Sequence, residues 1–274
     1  RRRRDPGPHG SLWAALETSW DRLDAAHQRA FAQLSAFRGG FTLAAVEAVV
    51  GPGIDVLETL CATSMVHTTP GSAGLRFGLY ETLRAFAEQH LTPEDRAATE
   101  LRHAGWYAAQ ADAWLANVDL GEPLDGLEPE RENLRAAFDR APDVAAACVS
   151  ALAWLDRTHG PSRWLIEALD RAISAASVGR QIRLRIDRAV IRMRIGRIAD
   201  AWTDALEACA LAGDGPDRAR AEVTRAQVAY HRGEPAEVLA ALDRMGPSLS
   251  WRMEAKANQM RGLALLELGR LQEA

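Results

Sequence analysis

Apolar residues recur every three to four positions along most of this chain, the period of amphipathic helices. Leu12, Trp13, Leu16, Trp20 and Leu23 share one face of a first helix that Ser11 can cap. Asp24 caps a second, with Ala30, Phe31, Leu34 and Phe37 inward, and Gly39-Gly40 ends it. Thr42 opens a short helix to Val50, and Gly51-Pro52-Gly53 breaks the chain. Asp55 and Glu58 have capping-box spacing for a helix from Val56 to about Ser64. The period then changes. Met65–Thr69 is rich in β-branched residues, Pro70–Gly74 is turn-like, and Leu75–Leu79 alternates, which predicts a two-stranded hairpin. A helix follows over about Tyr80–Leu91, and Thr92-Pro93-Glu94-Asp95 is a strong start for the next, running to about Asn117. Leu120–Pro129 reads as a loop and Glu130–Arg140 as a further helix.

From Asp143 onward a longer period takes over. Gly160, Gly196, Gly233 and Gly269 are separated by 36, 37 and 36 residues, and seven residues before each stands Ala153, Ala189, Ala226 or Gly262. Small residues at fixed offsets in a repeat of this length mark stacked helical hairpins. The small residue permits close approach of two helices, and the glycine turns the first helix into the second. First helices are expected near 143–158, 182–195, 217–232 and 251–268, and second helices near 162–176, 198–212 and 235–245, with the fourth truncated. Neither end looks like a natural terminus, so the chain reads as a piece of a longer polypeptide. The domain plan is therefore a basic linker (1–10), a winged-helix domain (11–91), a helical connector (92–142) and tetratricopeptide-like repeats (143–274). In fold class this is a mainly α chain, with one small β-hairpin in the winged helix and an α-solenoid of helical hairpins after it.

Composition narrows the function. Hydrophobic residues make up 47% of the chain and aromatics 6%, enough for a core and in favour of helix over sheet. Net charge is −4, and Lys256 is the single lysine. A nucleotide-binding P-loop requires a lysine after its glycines, so this chain carries none. Cys61, Cys148 and Cys209 form no C-x-x-C pair and read as reduced core thiols of a cytoplasmic protein. No stretch approaches the ~18 apolar residues of a membrane span, and Arg1–Arg4 is followed by Asp5-Pro6-Gly7-Pro8 rather than by a signal-peptide core. None of the seven histidines pairs with another at i+4, and no nucleophile elbow stands out. Neither catalysis nor a metal is expected. The presumptive recognition helix 55–64 carries Asp55 and Glu58, and 39–75 contains no Arg or Lys. Phosphate contacts dominate non-specific DNA affinity, so direct DNA binding is expected to be weak.

Several segments resemble bacterial STAND signal-transduction ATPases, many of them transcriptional regulators. His9–Asp24 is similar to the start of their winged-helix segment, Gln28–Thr42 to its next helix and turn, and Leu75–Ala87 to its wing strand and following helix. Glu130-Arg-Glu-Asn-Leu-Arg-Ala-Ala-Phe is similar to the helix preceding their repeats. The resemblance implies an ATPase domain upstream in cis, with ATP or ADP bound there and no cofactor in this chain. It also implies a winged helix that relays nucleotide state to a repeat-based sensor. The Met-His-Asp motif of relatives falls on Leu79-Tyr80-Glu81. Tyr80 replaces the histidine, and it reads either as a nucleotide-sensing position or as a packing residue at a strand–helix junction. Tetratricopeptide-like repeats further imply a concave face carrying Trp154, Arg157, Arg183, Arg194, Arg220, Gln227, Tyr230, His231, Lys256 and Gln259. Its cations and aromatics suit a protein or peptide partner that is acidic or aromatic-rich. The main expectation is thus a non-enzymatic sensor segment. The alternatives are a DNA-binding winged-helix regulator and a free-standing repeat scaffold.

Overall fold

A computed structural model describes residues 8–51, 53–71, 74–120, 126–159, 163–214, 216–246, 250–270 and 272. Arg1–Arg4, Gly160 and the tip of the hairpin lie outside them. The described chain is mainly helical, with one two-stranded antiparallel sheet. Contacts divide it into two units. Unit 1 holds residues up to Tyr107 together with Glu128–Ala141; unit 2 holds Ala108–Leu127 and Pro142–Ala274. The stretch 92–142 is thereby shared between them.

Unit 1 begins with α1 (Pro8–Trp20), so residues 8–10, expected in a linker, are already helical. In α2 (Ala25–Leu34), the Asp24 carboxylate accepts from the Ala26 and His27 amides at 2.9 Å each. The Thr42 hydroxyl caps α3 (Leu43–Val49), accepting from the Ala45 amide at 3.2 Å. For α4 (Ile54–Ala62) the expected capping box does not form. The helix starts at Ile54 behind Gly53, which offers no side chain, and Asp55 lies in the first turn, where its charge favours the helix dipole instead. Strands β1 (His67–Gly71) and β2 (Gly74–Gly78) pair in register His67↔Gly78 to Gly71↔Gly74. Phe41 adds a bridge to Phe77, each amide donating to the other's carbonyl at 2.8 Å. The turn that delivers Phe41 needs Gly40. Its φ is +106°, and a Cβ there would stand 3.1 Å from the Phe77 carbonyl oxygen. Helices α5 (Glu81–Gln89), α6 (Pro93–Leu120) and α7 (Arg131–Arg140) follow, the last entered by a 3₁₀ turn at Glu128–Glu130.

The aromatic core of unit 1 follows from this order. Phe31, Phe41, Phe86, Tyr107 and Phe138 are fully buried, and Trp13 and Trp20 meet Phe86 edge-on at 5.3 and 5.9 Å. The Glu130–Phe138 segment docks through polar groups. The Asn133 amide donates to the Gly40 carbonyl at 2.7 Å and to Glu130 at 2.8 Å, and its oxygen accepts from the Arg38 amide at 2.6 Å. Glu130, nearly buried, also receives Arg76 at 2.5 Å and the Tyr107 hydroxyl at 2.8 Å. Satisfying a buried carboxylate from three directions is what makes its burial tolerable.

In unit 2, α8 (Ala146–His159), α9 (Arg163–Ala175), α10 (Val178–Arg194), α11 (Ile198–Ala212), α12 (Pro216–His231), α13 (Pro235–Arg244) and α14 (Trp251–Glu267) succeed one another. Each packs on the next, and α8, α10, α12 and α14 also contact one another in turn. The repeat spacing has a direct cause. Ala189 is fully buried among Ala201 and Ala205 of α11 and Val228 of α12, and Ala226 plays the same part beside Val238 and Ala241. Gly196, Gly233 and Gly269 end α10, α12 and α14 with φ between +72° and +80°. Cys148 and Cys209 are buried free thiols. Burial pushes both thiol pKa values up, Cys209 to about 11. No group of three or more His, Cys, Asp or Glu among the described residues could hold a metal ion, and no described helix is long and apolar enough to cross a membrane.

Candidate functional site

Helical periodicity on alternate helices of unit 2 builds one hollow of about 490 Å³. Helix α10 contributes Arg183, Ile186, Asp187, Val190, Met193 and Arg194, a single stripe at intervals of three and four residues. Arg220, Val223, Thr224 and Gln227 repeat the stripe on α12. Trp154 and Arg157 enter from α8, Arg252, Met253 and Lys256 from α14, and Val118 from α6. The repeat interval aligns the cations. Arg220 follows Arg183 by 37 residues and Lys256 follows Arg220 by 36; Arg194 follows Arg157 by 37. Equivalent positions on stacked helices fall side by side, so charges scattered in sequence form rows in space.

Of the ten residues expected on the concave face, seven therefore line the hollow: Trp154, Arg157, Arg183, Arg194, Arg220, Gln227 and Lys256. The other three do not. Tyr230 lies one turn beyond Gln227 and packs on the Ala226–Val238–Met260 cluster, with His231 edge-on at 6.0 Å. His231 and Gln259 are exposed outside the hollow. Sequence reasoning missed Asp187 and Arg252 and the apolar wall. Asp187 was within reach, because its position four residues after Arg183 is an ion-pair spacing on a helix.

Six cations and one carboxylate make the hollow strongly positive. Asp187 is buried, with Arg183 Nε at 3.7 Å and Arg157 Nη2 at 3.9 Å. Arg220 pairs with Asp217 at 3.0 Å. Arg194, Arg252 and Lys256 have no carboxylate partner among the described residues. Surrounding protein, and the charge of Arg157, pull the Lys256 ammonium down to about 8. Lys256 is nevertheless exposed on one side, which places it at the mouth.

Tyr80, the candidate nucleotide-sensing position, is 61% exposed at the N-cap of α5, with its ring stacked on His67 at 4.4 Å. His67, Gly40, Arg76 and Arg84 bound a separate hollow of about 170 Å³ in unit 1, which Tyr80 does not line.

Comparison with known proteins adds one relationship. The chain is 30% identical over 270 residues to "Putative HTH-type transcriptional regulator Rv0890c" of Mycobacterium tuberculosis, and equally to the same-named Mb0914c of Mycobacterium bovis. The match covers 90% of this chain and 29% of each relative, so the chain spans under a third of their length. No family model matches, and no solved structure does. The relatives are named as regulators and not as enzymes, in line with the non-enzymatic reading. Their name also corrects the expectation that direct DNA binding is unlikely. That expectation weighed the cations of 39–75 alone, whereas a helix-turn-helix protein also takes phosphate contacts from helices outside its recognition helix.

Proposed function

We propose that this chain is a section of a DNA-binding transcription regulator, with unit 1 a winged helix and unit 2 a tetratricopeptide-like superhelix that receives the regulatory signal. The observation that carries this is the 30% identity to helix-turn-helix regulators across nearly the whole chain. The order of elements supports it. Helix α3, a short turn, helix α4 and the β1–β2 hairpin follow the helix-turn-helix plan with a wing. Helix α4 presents Asp55 and Glu58 to solvent, so phosphate contacts fall to cations elsewhere on unit 1. Arg22 and Arg29 are exposed and have no acidic partner among the described residues, which suits them to that task.

The test is fluorescence anisotropy of a labelled random-sequence duplex with the whole chain, titrated across salt concentrations. Binding is expected to weaken steeply with salt, and R22E/R29E should reduce the salt slope by about one to two contacts. Absence of binding at low salt, or binding unchanged in R22E/R29E, would refute the assignment of unit 1.

A further inference from the structure

We propose that the hollow among α8, α10, α12 and α14 is a binding site for a small organic anion, a molecule with an apolar body and a carboxylate or phosphate group. The inference rests on the regulator reading only for its consequence, a signal for transcription, because binding itself is measured without DNA.

Charge is the first argument. Elsewhere in unit 2, arginines are matched to carboxylates. Arg188 and Arg192 hold Asp204 at 2.6 and 2.7 Å, Arg225 holds Glu237 at 2.8 Å, and Arg261 holds Asp243 at 2.8 Å. Arg194, Arg252 and Lys256 lack such a partner among the described residues, and all three line the same hollow. Its single carboxylate, Asp187, is already shared between Arg157 and Arg183. Like charges gathered in a partly enclosed space repel: Lys256, lowered first by burial, is lowered further by the charge of Arg157. An incoming anion reverses the imbalance with charge-assisted hydrogen bonds.

Shape is the second argument. A volume of about 490 Å³ lies in the range of small-molecule sites and far exceeds the needs of a lone inorganic ion. Between the cations stand Trp154, Val190, Met193 and Met253. Such a wall gains from burying hydrocarbon and gives nothing to a fully hydrated ion. The methionines can adapt to an irregular ligand, and Trp154 offers a flat face for an aromatic one. Cations over an apolar floor therefore select an amphiphilic anion.

Calorimetric titration of the whole chain with 1-naphthyl phosphate and 1-naphthoate, against neutral 1-naphthol, tests the proposal. At least one anion should bind about ten-fold or more tighter than the alcohol, and the better of the two identifies the head group. R194E/K256E should abolish the preference, R194M/K256M should weaken it, and R163E, at a 93% exposed site outside the hollow, should leave it intact. Melting curves confirm that each variant is folded, and the neutral pair serves if charge reversal is not tolerated. Equal affinity for anions and alcohol, or an undiminished preference in the neutral pair, would overturn the proposal. Either result is independent of whether unit 1 binds DNA.

Discussion

Asp204 lies in the middle of α11 with a side chain 1% exposed, and two arginines of α10 converge on it. Arg188 places Nη2 2.6 Å from Oδ1 and Nε 3.1 Å from both oxygens, while Arg192, one turn on, places Nη1 2.7 Å from Oδ2. Asp170 of α9 is a second partner, at 2.7 Å from Arg188 and 3.8 Å from Arg192. Replacing Asp204 by Ala leaves two guanidiniums, each about 14% exposed, facing one half-exposed carboxylate. Breaking a buried ion pair from one side costs about 3–5 kcal/mol. Because Asp170 remains, we expect about 3 kcal/mol, or a fall of roughly 6–12 °C in the melting temperature of a unit this size. The exposed Arg261–Asp243 pair is the internal control, and D243A should cost no more than about 1 kcal/mol. Urea unfolding followed by helical circular dichroism measures both. Coupling between D204A and R188M in a double-mutant cycle should exceed about 1 kcal/mol. If D204A cost no more than D243A at unchanged urea dependence, the network would be decoration rather than the clamp between α10 and α11.

Three further outcomes follow from particular contacts. Leu in place of Ala189 should overpack the contact with Ala201, Ala205 and Val228 and cost about 1–3 kcal/mol in a thermal melt; an unchanged melt would mean that the close approach is placed wrongly. Burial, and then the charge of Arg140, hold His103 at about 3, well below its ordinary value of 6.5, so the unfolded chain binds the proton first. Stability of unit 1 should therefore fall as pH drops below about 6.5, by up to about 1.4 kcal/mol per pH unit, and H103Q should flatten that dependence. At the hollow, where Arg157, Arg183, Arg194, Arg220, Arg252 and Asp187 surround Lys256, affinity for 1-naphthyl phosphate should decline as pH rises through about 8 and Lys256 loses its proton. K256M should remove that decline.

Much of the fold was legible because its signals are local. Asp24, Thr42 and Thr92 cap the helices they announce, with Thr92 accepting from the Asp95 amide at 3.0 Å. The β-branched run and its turn gave the hairpin to within two residues. The errors are local as well. The spacing of Asp55 and Glu58 mimics a capping box, but α4 starts one residue before Asp55, behind Gly53, which has no side chain to cap it. The Glu130–Asn133 docking was not legible in physical terms. Arg38, Gly40, Arg76 and Tyr107 come together only once the hairpin and α6 are folded, across sequence separations of up to 95 residues.

The hollow shows where sequence reasoning on a run of packed helices succeeds and where it needs coordinates. A stripe on one helix is written in the three-and-four spacing, and the repeat interval predicts which stripes adjoin. That sufficed to bring Arg157, Arg183, Arg194, Arg220 and Lys256 together in advance. It could not say which of these charges are answered. Arg183 is answered by Asp187 on its own helix and Arg220 by Asp217 on its own, both at spacings common on exposed helices. Arg194 and Lys256 also have acids nearby in sequence, Asp200 six residues on and Glu254 two residues back. Yet Asp200 is taken by Arg197 at 2.6 Å, and Glu254, two residues from Lys256, faces away from it around the helix. Pairing depends on side-chain direction and on competitors for each carboxylate, neither of which periodicity encodes. For the same reason, charge reversal at Arg183 and Arg220 mixes lost ion pairs with lost ligand contacts, whereas Arg194 and Lys256 report on the ligand alone.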